Sequence, residues 1–115
     1  MFIAYVAVTV LAATANAFSA TLDFIRYKQV LINMAKAGVS ESWITILGVL
    51  KGAGALGLLI GIRVPVIGVA AAVGLILFFV AAIITHLRAR DYSFGLAVAF
   101  LLLAVPALAL RLASY

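Results

Sequence analysis

The chain contains no cysteine. That absence excludes a disulfide framework, thiol catalysis, cysteine-ligated iron–sulfur clusters and zinc–thiolate sites within it. Histidine occurs once, which rules out bis-histidine ligation and leaves no pair at zinc-ligand spacing. Gly-x-Ser-x-Gly, the P-loop, the dinucleotide fingerprint and His-Glu-x-x-His are all missing. Ser19, Ser40 and Ser42 have no histidine near them in sequence. No catalytic residue and no metal site can be assigned, and any enzymatic role is expected to depend on other subunits.

Charge is scarce as well. Only 10% of the residues are charged, 69% are hydrophobic, and the mean hydropathy is +1.38. A soluble domain of 115 residues needs far more polar surface, and without it would expose large apolar patches to water. Eight Lys and Arg against three Asp and Glu give a net charge of +5. In a soluble protein that excess would suggest nucleic acid. Here the cations stand at the ends of apolar runs, where membrane orientation and lipid headgroups account for them, so no nucleic-acid partner is expected.

What the sequence does have is long apolar runs. About 20 residues of helix cross the ~30 Å hydrocarbon layer, and residues 2–22, 42–62, 65–87 and 93–112 each supply such a run. Backbone polar groups in lipid must be bonded within their own segment, so these runs should be helices; the alternating polarity of a barrel is absent. The expected fold is all-α: a polytopic, compact four-transmembrane-helix bundle forming one membrane domain over residues 1–115. The opening "MFIAYVAVTVLAATANAFSA" carries the small-x-small endings of a leader peptide. It lacks a basic n-region, so it is read as the first span.

The connections carry their own signals. Gly38 reads as a helix stop and Ser40 as the N-cap of the second span. Arg63 falls in a tight turn before Pro65, which suits the first turn of the third span. Phe24, Ile25, Tyr27, Val30 and Leu31 mark residues 24–37 as a short interfacial helix, with Trp43 and Tyr92 as interface anchors. Pro106 is expected to kink the last helix and free the carbonyl of Leu102, a distortion that could shape a cavity. Arg26, Lys28, Lys36, Arg88 and Arg90 fall in the first and third connections, against Arg63 and Arg111 on the other side. The positive-inside rule then places loops 23–41 and 88–92 in the cytoplasm and both termini outside; Arg88, Arg90 and Asp91 read as a topology and interface signal.

Small residues recur at helical spacing. Gly48-x3-Gly52 and Gly57-x3-Gly61 let neighbouring backbones approach closely, either within the bundle or in a homo-oligomer. Among so few polar groups, Lys51 stands near the middle of the second span, where a lysine costs roughly 2.5–3.5 kcal/mol to insert. It needs a partner. Thr9, Asn16 and Asp23 recur every seven residues along the first span, beside Ala12, Ala13, Ser19 and Ala20, and form a polar stripe on one face. His86 and Asp91 reach the same end from the third span. Asn16, Asp23, Lys51 and His86 are therefore the candidate intramembrane cluster, with Asp23, Lys51 and His86 at its heart. Two readings remain open for it, a stitch between helices and a proton or ligand site; His86, beside Arg88 and Arg90 at a membrane edge, reads as an interfacial residue before a metal or haem ligand.

The run "SWITILGVLKGAGALGLLIGIRVPVIGVAAAVGLILFFVAAIITHLRARDY" (42–92), with "FSATLDFIR" and "NMAKAGV" before it, resembles the DoxX-like family of small four-helix bacterial membrane proteins. "LGVLKGAGALGLL" and "THLRARD" are its sharpest parts. Relatives in that family often carry a glutamate near the Lys51 position, so the lysine is a departure. The resemblance implies a bacterial plasma-membrane protein and a non-catalytic subunit of a quinone-linked or stress-related redox assembly, with a soluble or membrane redox partner. With no cysteine and one histidine, such a subunit would at most cradle a quinone or anchor that partner. The alternatives are a small transporter or hydrophobic-ligand binder using the same pocket, and a purely structural membrane subunit.

Overall fold

A computed structural model describes residues 2–91 and 94–114. The helices are α1 (Phe2–Phe24), α2 (Lys28–Lys36), α3 (Ile44–Ile60), α4 (Pro65–Arg88) and α5 (Gly95–Ala113), with a single 3₁₀ turn at Glu41–Trp43 leading into α3. Among the described residues, α1, the turn with α3, α4 and α5 are the four segments long and apolar enough to cross a membrane. The molecule measures 40 Å along its longest axis, close to the ~40–45 Å of a bilayer with its headgroup regions. It is an all-α, multi-pass membrane protein.

The four long helices form a ring in the order α1, α3, α4, α5, each packed on its two neighbours. Short connections make α3, α4 and α5 antiparallel, and the loop carrying α2 returns the chain from α1 to α3 along the same end of the bundle. At the centre lie Ala12, Ala13, Ala55, Leu58, Ala72, Leu75, Phe79 and Ala104. Small residues dominate because lipid gives no hydrophobic drive between helices, so close backbone contact must supply the attraction. Large apolar side chains such as Leu56, Val66, Leu77 and Leu102 point outward, toward the acyl chains.

The glycines of α3 divide between two neighbours. A Cβ at Gly48 would sit 3.2 Å from the Asp23 Cβ and 3.1 Å from the Phe24 ring, whereas Gly52 has only Ala20 near it, at 3.9 Å. Gly57 packs on Ala71, and Gly61 lies directly against the Gly68 backbone. One pair thus faces α1 and the other faces α4, inside a single chain.

Helix ends follow local chemistry. Pro65 opens α4, and Ser40 accepts a hydrogen bond from the Ser42 N–H as cap of the 3₁₀ turn. α5 runs through Pro106 as one element. At the α2 end of the bundle three helices close in the same way. Arg26 (φ 53°), Gly38 (φ 74°) and Arg90 (φ 54°) are left-handed. The following N–H groups reach back to Leu22, Met34 and His86 carbonyls at 3.0, 2.9 and 2.9 Å, which is the Schellman closure. Glycine is usual there; an arginine accepts a steric cost of roughly 1–2 kcal/mol instead.

Candidate functional site

Antiparallel packing sets the last turn of α1 beside the first turns of α3. Asp23 lies in that last turn and Lys51 lies roughly 10 Å along α3 from its start, at 1.5 Å per residue. Side chains on a helix lean toward its N-terminus, which directs Lys51 to the α2 end. Its ammonium lies 3.0 Å from Asp23 Oδ2 and donates to Ser19 Oγ at 3.0 Å. Gly48, one turn earlier, leaves room for the Asp23 side chain.

The pair is screened from the surroundings, with side-chain exposures of 1% for Asp23 and 14% for Lys51. Neither carboxylate oxygen receives a well-directed hydrogen bond, so the contact is an ion pair by distance and charge. Asp23 also stands at the C-terminal, negative end of the α1 dipole. The ammonium offsets that placement, and it lies 5.7 Å from the centroid of the Phe78 ring.

His86 finds a different partner. The left-handed Arg90 turns the chain back over the last turn of α4, and the Asp91 N–H bonds the His86 carbonyl. The same reversal brings Asp91 Oδ2 to 2.8 Å from His86 Nδ1. Asp91 is therefore more than a headgroup contact: it holds the histidine ring.

Asp23, Lys51 and His86 line one cavity of about 340 Å³, with Asp91 behind the histidine ring. Ser19, Asp23, Lys51 and His86 contribute its polar wall. Phe78, Phe79, Phe100, Leu47 and Leu96 supply most of the apolar wall, and Val30, Asn33 and Met34 of α2 close over it. A mainly apolar cavity with a few convergent polar groups is the usual form of a small-molecule site. On α5 the lining residues are Leu96, Ala97 and Phe100, which places the cavity away from Pro106.

The remaining sequence-derived candidates fall elsewhere. Asn16 is fully buried but does not line the cavity; its amide donates to the Ala12 carbonyl of its own helix at 2.9 Å, a bond open to any short polar side chain four residues on. Arg88 and Arg90 are exposed, Trp43 is half-exposed where α3 begins, and Tyr92 lies outside the described residues. Among the described residues no three His, Asp or Glu side chains gather to hold a metal ion.

Arg111 was counted from sequence only as an outer charge. It is 4% exposed. Its guanidinium donates to the carbonyls of Gly61 and Ser114, each at 3.1 Å, and lies 4.3 Å from the centroid of the Tyr5 ring. The available signal was spacing: Ala104, Ala107 and Arg111 share one helical face, and the two alanines are buried.

With this geometry in place, the chain belongs to the DoxX-like family, whose sequence profile matches residues 7–109. Neither a curated protein nor a solved structure matches it.

Proposed function

We propose that this DoxX-like membrane protein holds a quinone-class amphiphile in the cavity between α1, α3, α4 and α5, serving as the non-catalytic, quinone-holding subunit of a redox assembly. The observation that carries the reading is the cavity itself: an apolar space walled by aromatic rings, into which an ammonium, an imidazole and the smaller polar groups of Ser19, Asn33 and Thr85 project beside Asp23. A quinone needs that division, since its ring and tail are apolar and its oxygens accept hydrogen bonds. Lys51, already tied to Asp23 and Ser19, has a third N–H to give. Ala12, Ala13, Ala55 and Leu58 pack in the bundle centre and do not line the cavity, which favours holding a ligand over passing one through the membrane.

The charge distribution supports an orientation with the α2 end in the cytoplasm of a bacterial plasma membrane and both termini outside. In that setting the cavity opens in the cytoplasmic leaflet, beside the exposed cations Arg26, Lys28, Lys36, Arg88 and Arg90, where a membrane-dissolved ligand and a cytoplasmic partner both have access.

Native mass spectrometry of the protein released from its own membranes tests this directly. The expected result is one added mass per chain corresponding to an isoprenoid quinone, lost in Lys51→Met. A wild-type protein carrying no quinone, and taking none up from quinone-loaded micelles, overturns the reading.

A further inference from the structure

The two polar walls of the cavity differ in hydrogen-bonding sign. The Lys51 ammonium has donors only. His86 presents the opposite face, because its Nδ1 lies 2.8 Å from Asp91 Oδ2. A carboxylate accepts and does not donate, so in the neutral imidazole the proton resides on Nδ1 and Nε2 carries a lone pair. Nδ1 is the ring nitrogen engaged, and His86 lines the cavity; Nε2 is the nitrogen left for a ligand. The arrangement is enforced by the backbone, through the left-handed Arg90 and the Asp91 N–H to His86 carbonyl bond.

We infer that the cavity selects the reduced, hydroxyl-bearing form of its ligand: a quinol hydroxyl donates to His86 Nε2 while the opposite ring oxygen accepts from Lys51. This rests on the quinone-class reading above. A quinone offers carbonyl oxygens alone. Lys51 satisfies one of them, but the other sets its lone pairs against that of Nε2. The selection is a matter of binding, and no electron moves. Asp91 is a positioning residue, since it touches the ring and not the ligand. The charged groups around the imidazole are Asp91, Arg88 and Arg90 at its own end of α4, with the Lys51–Asp23 pair facing it from α3 and α1; the α5 residues of the wall are uncharged.

Equilibrium dialysis of the detergent-solubilised protein against decylubiquinone and its quinol decides the matter. The quinol is expected to bind about five- to tenfold tighter, the effect of one hydrogen bond gained in place of one lone-pair clash. Asp91→Ala frees the proton to sit on either ring nitrogen, so the ratio of the two affinities should fall to unity or below. A purely structural role for Asp91 would weaken both forms alike and leave that ratio unchanged. His86→Leu should keep both forms bound through Lys51 and abolish the preference. Equal wild-type affinities overturn the inference and leave the cavity reading standing, whereas failure of both forms to bind overturns the two together. If Asp91→Ala does not fold, the wild-type ratio with His86→Leu still gives the answer.

Discussion

The Lys51 ammonium and the Asp23 carboxylate face each other at 3.0 Å across the α1–α3 interface, both withdrawn from the surroundings. Each makes the other tolerable: an unpaired charge in this apolar interior would carry a desolvation penalty of several kcal/mol. Lys51→Met should therefore destabilise the bundle by about 3–5 kcal/mol, because it strands the carboxylate. Adding Asp23→Leu should recover much of that loss. Unfolding in detergent by heat or denaturant reads the cycle, and additive single effects would show that the two groups are not coupled.

The Gly61–Gly68 contact makes a second prediction. A methyl group at Gly61 would fall on the Gly68 backbone, where neither helix has a flexible side chain to move aside. Gly61→Ala should cost about 1–3 kcal/mol as an overpacked contact. Gly74, in the interior of α4, has nothing within 4 Å of an added Cβ; Gly74→Ala should stabilise by about 0.5–1 kcal/mol, the ordinary gain in a helix. Thermal shifts of the same sign for both variants would contradict the packing described.

At the opposite end from the cavity, Arg111 bonds the Gly61 carbonyl and stacks on Tyr5. A lysine keeps the charge but lacks the planar fork and the stacking face. Arg111→Lys should therefore cost about 1–3 kcal/mol, chiefly by leaving the buried carbonyl unpaired. Tyr5→Phe keeps the ring and should be nearly silent, while Tyr5→Leu should approach the Arg111→Lys effect. A fully tolerated Arg111→Lys would mean that the guanidinium geometry does not matter.

The lack of cysteine makes the proposed orientation easy to test, since any introduced thiol is the only one. Ser40 and Arg63 are both exposed, in connections at opposite ends of the bundle. In intact cells a membrane-impermeant maleimide should label Arg63→Cys and spare Ser40→Cys until the membrane is opened. The reverse pattern would invert the topology and put the cavity in the outer leaflet.

Much of the fold was legible in the residues. The four apolar runs reappear as α1, α3, α4 and α5 with ends shifted by one or two positions, and the polar connection holds a short helix at Lys28–Lys36. Pro65 and Ser40 sit where their side chains predict. The site was legible only in outline. Its charged residues were visible because charges are rare here, and Asp23 could be named as the partner of Lys51; the other partners could not, since His86 took Asp91 and Asn16 turned back on its own helix.

Run length and composition alone determined the medium, the helical state and the number of crossings, because lipid leaves an unbonded backbone no other solution. The tertiary structure decided which polar groups meet. That outcome depends on the rotation of each helix about its axis, set by close glycine contacts, and on two arginines in left-handed backbone. Side-chain pattern does not encode either one: an arginine at a helix end looks like a surface charge until the chain turns there. The burial of Arg111 against Tyr5 has the same origin, since a guanidinium is sheltered only when another helix brings a ring and a carbonyl to it.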